Sequence, residues 1–338
     1  MGNKVLNMIE YQGISDFFPD NPTTFTQITV CSDLCIPSYK PDIHRVTKVT
    51  SSVSISDYKV IKTPIATSSE GQNLTGSKII VHGTLKYIVL YISDTCNQSL
   101  YSTSFCVPFC TYIVLPEYFL SSTPIDITPY IEDVYVDNFC LECSLDSKRI
   151  INICAHLFID VNFCCQCNVG SCTCHSCAKV VGASTVFPST LVYFKQVTVE
   201  QDLVLPENKC CVNDLISINS SVDVYSVKLV DTIIGTSLEG QNLTGCKLSI
   251  SLNAKDIIVY STAKHCKSVQ SSTFNNAICC IFIVVPCTIN GVSTDKLVAQ
   301  GNLLVTPYIE DICAIKGQND CTVHKCLSLL LNVTTRCV

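Results

Sequence analysis

Hydrophobic residues in this chain recur most often at every second position. From Val81 to Tyr91, the residues Val81, Leu85, Tyr87, Val89 and Tyr91 share one parity, the period of a strand with one buried face. Val222 to Val230 alternates too, less cleanly, through Val222 and Val224. Thr, Val, Ile and Tyr dominate these stretches, Trp is absent, and Ala and Leu are sparse at helical spacing. The pattern predicts an all-β protein with little helix.

The strand text is written twice. Glu70-Gly71-Gln72-Asn73-Leu74-Thr75-Gly76 returns as Glu239-Gly240-Gln241-Asn242-Leu243-Thr244-Gly245, and Thr128-Pro129-Tyr130-Ile131-Glu132-Asp133 returns as Thr306-Pro307-Tyr308-Ile309-Glu310-Asp311. Identical words in the same order imply a duplicated module. The first word has two glycines and an Asn between strand-like runs, which supply the positive-φ positions of a hairpin turn. No Lys-Ser/Thr or helical pattern follows it, so it does not read as a phosphate loop. Both copies open with a proline after two apolar residues, Cys35-Ile36-Pro37 and Val204-Leu205-Pro206, ahead of Lys40 and Lys209. The expected architecture is two tandem β-sandwich or barrel-like modules joined by a cysteine-rich linker. Residues 1–26 form an N-terminal arm, 27–163 the first module, 164–194 the joint and linker, and 195–338 the second module. The arm carries apolar residues that the repeat does not place, and is expected to complete a sheet edge of a neighbour.

With 338 residues, each module has enough chain to bury a core. Charged residues make up only 15%, against 47% apolar, which excludes a disordered chain. A net charge of -6 and the lack of a basic run argue against nucleic acid as a partner. The longest apolar runs, such as Ile278 to Cys287, fall short of the roughly 20 residues that span a bilayer, so no membrane partner is expected. The first ten residues lack the apolar stretch of a secretory signal.

Against that background, 25 cysteines is a density met in oxidised, cross-linked or metal-loaded proteins. Because 25 is odd, at least one thiol is free, bound to metal or bonded to another chain. Aligning the copies brings Cys96 to Cys266, Cys110 to Cys280, Cys154 to Cys326 and Cys165 to Cys337. Adjacent cysteines occur at Cys164-Cys165, Cys210-Cys211 and Cys279-Cys280, and in a strand one of each pair faces inward and the other outward. The candidates for cross-linking are therefore Cys164, Cys165, Cys167, Cys172, Cys174, Cys177, Cys210, Cys211, Cys279 and Cys280. Alternatively Cys164, Cys167, Cys174 and Cys177, two Cys-x-x-Cys pairs with His175 nearby, surround a zinc ion; the joint also suits a disulfide knot or free thiols.

Nothing in the chain selects a reaction. Gly-x-Ser-x-Gly, the dinucleotide glycine fingerprint and His-Glu-x-x-His are all missing. Glu132-Asp133 and Glu310-Asp311 are carboxylate pairs suited to acid–base work or calcium, but their repeat context reads as solvated strand ends. The expectation is a protein without catalytic residues or cofactor.

The order of motifs resembles a known family. Leu34-Cys35-Ile36-Pro37-Ser38-Tyr39-Lys40-Pro41, the segment Tyr58-Lys59-Val60-Ile61, a Gly-initiated strand, and Val107-Pro108-Phe109 ahead of another strand are similar to the SPOCS domain of spore-coat assembly proteins. The resemblance covers roughly 27–165 and 195–338, although Cys210-Cys211 stand where the first copy has Pro41-Asp42. It implies synthesis in the mother-cell cytoplasm and deposition on the spore surface, which reconciles abundant cysteine with the missing signal. It also implies self as the main partner, with other spore-coat proteins as further ones. The reading is a self-assembling, disulfide-linked subunit of a spore surface layer or fibre, of the kind found in clostridial spore appendages or coats. The rivals are a metal-binding or thiol-redox protein centred on 164–177, and a secreted adhesin-like module.

Overall fold

A computed structural model describes residues 9–120, 122–137, 148–163, 178–262, 268–317 and 321–336. The cysteine-rich segment 164–177 lies outside the described residues, as do Cys266 and Cys337.

The described chain is almost entirely strand, and the topology occurs twice. The first set comprises β1 (Glu10–Gln12), β2 (Phe25–Cys35), β3 (Ile43–Thr67), β4 (Asn73–Ser93), β5 (Leu100–Val114), β6 (Ile125–Asp137) and β7 (Ile150–Phe163). The second comprises β8 (Lys179–Val181), β9 (Tyr193–Val204), β10 (Val212–Thr236), β11 (Asn242–Thr262) and β12 (Val269–Pro286), then β15 (Leu303–Lys316) and β16 (Thr322–Thr335). Between β12 and β15 lie a small hairpin, β13 (Thr288–Ile289) with β14 (Val292–Ser293), and one short helix, α1 (Thr294–Ala299). The four-stranded sheet β1-β3-β4-β5 matches β8-β10-β11-β12, and the three-stranded sheet β2-β7-β6 matches β9-β16-β15. No barrel closes among the described residues, and each copy is a sandwich-like pair of sheets.

The repeated seven-residue word ends a long hairpin in both copies. β3 stops at Thr67 and β4 starts at Asn73, with Gly71 at φ +99°; β10 stops at Thr236 and β11 starts at Asn242, with Gly240 at φ +85°. A side chain would be strained at either glycine.

The segment expected to be a free arm belongs to the repeat. Glu10–Gln12 pair in parallel with Lys48–Thr50 of β3, as Lys179–Val181 pair with Ser217–Asn219 of β10. Ser15 then exchanges two hydrogen bonds with the backbone of Ile131, and Ser184 does the same with Ile309. A shared Gly-x-Ser-x-x-Phe-Pro, Gly13 to Pro19 and Gly182 to Pro188, writes this clip. From Glu10 onward the segment thus pairs with sheets of its own chain.

The chain divides into two compact units. The first contains Met1–Tyr58, Val81–Ile113 and Leu120–Thr173; the second contains Lys59–Ile80, Val114–Phe119 and Cys174–Val338. The outer part of the first long hairpin, residues 59–80, therefore counts with the second unit. In the first unit the parity read from the sequence holds, since Val81, Leu85, Tyr87, Val89 and Tyr91 are all buried, along with Ile151, Ile153, Leu157 and Ile159 of β7. In the second, Leu248, Ile250, Leu252 and Ile258 of β11 pack with Leu327, Leu329, Leu331 and Val333 of β16.

Duplication kept the frame and changed its fastenings. Cys31 and Cys154 are bonded across β2 and β7, whereas the equivalent pair in the second copy is Glu200 and Cys326. Cys246–Cys287 bridges the second copy where the first has Ser77. Lys325 and Asp256 form a fully buried ion pair at 2.7 Å, with Ser220 Oγ donating to Asp256 at 2.6 Å. The corresponding residues of the first copy are Ile153, Tyr87 and Ser51.

Gly83 of β4 shows how one such change is packed. A Cβ there would sit 2.2 Å from the ring of Phe109, so the ring occupies the room that Leu252 fills at the equivalent place in the second copy. We expect Gly83→Ala to overpack the first unit and lower its stability by about 1–3 kcal/mol. Phe109→Leu in the same chain should recover part of that loss; both are measured by chemical denaturation.

Candidate assembly site

Within the second unit, residues 59–80 lie as an arm over the outer face of the β15-β16-β9 sheet. Their most deeply placed polar group is Lys78, whose Nζ lies 2.5 Å from Oε2 of Glu310, both side chains being at most 1% exposed. Gln196 Nε2 donates to the other carboxylate oxygen at 2.8 Å, and Ser328 Oγ reaches Oε2 at 3.4 Å. A buried charge is tolerated only when paired and hydrogen-bonded, and here both carboxylate oxygens are met. Burial lowers the pKa of Lys78, while Glu310 and then Asp311 act in the opposite direction.

Around this pair the arm makes a graded set of contacts. Lys59 Nζ binds Asp311 Oδ1 at 2.8 Å, and Glu70 Oε1 accepts from Lys195 Nζ at 2.6 Å. The Gln72 side-chain amide docks on the backbone of edge strand β9, accepting from Gln196 N at 2.7 Å and donating to Gln196 O at 3.4 Å. It thereby meets backbone groups that an edge strand otherwise leaves unpaired. Leu74 closes the contact by packing on Leu191, Phe194 and Leu330, beside Ala66, Phe187 and Tyr308. β16 is buried without a break from Lys325 to Val333, and Leu74 of the arm packs on Leu330 within that run.

Glu310-Asp311 is therefore not the solvated strand end that its repeat context suggested. Both residues are buried because the arm covers them. Glu132 and Asp133, the same word in the first copy, also lie inside a strand, β6, but less deeply: Glu132 is half-buried and Asp133 exposed. Sequence reasoning missed Lys78 because its partner lies 232 residues away. The available signal was a lysine two residues past a repeated turn word in both copies, Lys78 and Lys247.

The cysteines chosen from sequence fall into three groups. Cys164, Cys165, Cys167, Cys172, Cys174 and Cys177 lie outside the described residues, and with them the alternative zinc set. Cys210 is exposed, while Cys211 is half-buried with its sulfur 2.6 Å from that of Cys321. Cys279 and Cys280 are both exposed. Strict alternation fails there because a bulge shifts the β11–β12 register between Ile250↔Ile281 and Leu252↔Ile278, with Cys280 at φ +64°. Exposed thiols also occur at Cys35 and at Cys96, the latter marked in sequence only by its alignment with Cys266.

Comparison with known proteins adds one family. Residues 42–138 match the family described as SipL, SPOCS domain. The matched stretch covers β3 to β6, hairpin arm included, and supports a spore-associated role. No curated protein sequence matches. The crystal structure of a lipopolysaccharide binding protein aligns over 92% of both chains at 8% identity, but its TM-score of 0.12 carries no argument about fold or ligand.

The buried pair sets a clear mutational expectation. Lys78→Met leaves Glu310 charged and buried, and should destabilise the second unit by about 3–5 kcal/mol. Lys78→Met with Glu310→Gln keeps an acceptor for Gln196 and removes the stranded charge. The double variant should be more stable than Lys78→Met alone in denaturant titrations.

Proposed function

We propose that this chain, with its SPOCS match over residues 42–138, is a structural subunit that self-assembles into a surface layer or fibre of a bacterial endospore and is cross-linked by disulfides. The family match carries the reading, since it points to the spore and to construction. Two features of the chain support it. A duplicated sandwich offers two related surfaces per subunit, the minimum for a chain of subunits. Thiols at Cys210, Cys279 and Cys280 stand exposed on β-rich surfaces, where a bond to a neighbour needs no unfolding. On this reading the chain is made in the mother-cell cytoplasm and deposited on the spore surface, with other copies of itself as its main partner and other coat proteins beside them. It has no catalytic role.

A disulfide between chains removes the concentration dependence that a noncovalent interface obeys. Spore-derived material boiled in detergent without reductant should therefore remain as high-mass species. Reductant together with denaturant should shift it towards the 37.0 kDa monomer. Monomer without reductant would remove the cross-linking role and leave internal bridges or metal. Stoichiometric zinc surviving dialysis of reduced protein would then favour the rival centred on Cys164, Cys167, Cys174 and Cys177.

A further inference from the structure

The arm that docks inside the second unit has a twin with no such dock. Residues 228–249 form the corresponding part of the β10–β11 hairpin, and they repeat five side chains with which the first arm docks, while Gly235 stands for Ala66. Lys228 stands for Lys59, Glu239 for Glu70, Gln241 for Gln72, Leu243 for Leu74 and Lys247 for Lys78. Lys228, Glu239 and Gln241 are exposed, Leu243 is half-buried, and Lys247 is half-buried with its ammonium 4.2 Å from the ring centroid of Phe282. Ile233, Ile234 and Leu238 near the turn are also exposed, an unusual load of apolar surface for a hairpin tip. Towards the first arm the tip spends a backbone bond from Asn242 N to Glu70 O and a 3.3 Å contact from Gln241 to Glu70.

The receiving face also has a twin. In the first unit, β2-β7-β6 has the register of β9-β16-β15: Gln27 and Tyr130 flank Phe158 as Gln196 and Tyr308 flank Leu330. Gln27 Nε2 already donates to Glu132 Oε1 at 2.7 Å, the bond that Gln196 makes to Glu310 at 2.8 Å. What differs is cover. Phe25 is 45% exposed and Phe18 is 47% exposed, whereas Phe194, the equivalent of Phe25, is 1% exposed beneath Leu74. Phe18, Phe25, Tyr130 and Phe158 form one aromatic cluster beside the carboxylates of Glu132 and Asp133. The face thus presents two acidic groups and an apolar seat, and the free arm presents two lysines and a leucine at matching places.

Resting on the self-assembly reading above, we propose that the β10–β11 arm of one chain docks on the β2-β7-β6 face of a second copy, repeating between chains the contact that residues 59–80 make within the second unit. Lys247 meets Glu132, Lys228 meets Asp133, Gln241 meets the backbone of Gln27, and Leu243 covers Phe25. Five positions change: Thr26 replaces Lys195, so Glu239 loses its cation, Phe158 replaces Leu330, which widens the apolar seat, His156 replaces Ser328, Pro22 replaces Leu191, and on the arm Gly235 replaces Ala66. Donor and receiver are different surfaces of one subunit. The interface is therefore heterologous, and unless the rotation closes a ring it builds an open filament.

The test uses the full-length chain under reducing conditions, so that no disulfide contributes. Lys247→Glu spoils the arm and leaves the face intact; Glu132→Lys spoils the face and leaves the arm intact. Reversing one charge of a desolvated interfacial pair should weaken self-association by about 30-fold or more for each variant alone, read by analytical ultracentrifugation. Mixed together, the two variants should assemble again, because the intact arm of one meets the intact face of the other and the two reversed charges attract at the alternate joint. That result also shows that both variants are folded. Filaments from either variant alone would overturn the docking while leaving self-assembly standing. Wild-type chain that stays monomeric under both reducing and oxidising conditions would overturn both readings. Mixed variants that stay monomeric while wild type assembles would place the interface elsewhere.

Discussion

Lys78 and Glu310 are the interaction on which the second unit is organised. A lysine and a glutamate with almost no exposure, far apart in sequence, share a dry site because the charges are paired and both carboxylate oxygens are hydrogen-bonded. Gln196 and Ser328 meet the carboxylate, and Gln72 meets the backbone of Gln196. Four residues before Lys78 on the same arm, Leu74 packs with Leu191, Phe194 and Leu330. Such a pair adds little net stability over an apolar substitute, yet it admits a single register, and a one-residue slip of β4 would turn Lys78 to the opposite face. We read the pair as a device for specificity.

Duplication explains why the same device appears a second time half-made. The turn word, its flanking lysines and the Thr-Pro-Tyr-Ile-Glu-Asp word are kept in both copies, while the cores beneath them have drifted. Asp256 and Lys325 stand where Tyr87 and Ile153 stand, Leu252 where Gly83 makes room for Phe109, and each copy has its own disulfide. Side chains whose only work is internal packing can be exchanged in compensating sets, since a core tolerates volume-conserving change. Lys247 and Glu132 pair with nothing equivalent inside the described chain, so packing does not account for their identity with Lys78 and Glu310.

The strand parity of β4, the hairpin turns and the tandem order were legible in sequence because each is a local signal of period two or of glycine placement. The fate of the carboxylates was not. Glu132-Asp133 and Glu310-Asp311 are identical words, and only a segment distant in sequence decides that one stays partly exposed and the other is buried. Cys279-Cys280 misled for a related reason, since a bulge with a positive φ breaks alternation without any glycine or proline to announce it. The clip from Glu10 to Pro19 was readable through its Gly-x-Ser-x-x-Phe-Pro echo, but the echo is sparse and the cysteine-rich joint between the copies draws the eye from it.

The central claim is that one arm-on-sheet contact serves both within and between subunits. Electron cryomicroscopy of filaments grown from wild-type protein tests it most directly. The account predicts one β10–β11 arm seated at every subunit joint, with Lys247 against Glu132 and Leu243 over Phe25, in a head-to-tail arrangement. A joint that leaves this arm in solvent, or one that pairs the same surface of both subunits about a two-fold axis, would contradict it.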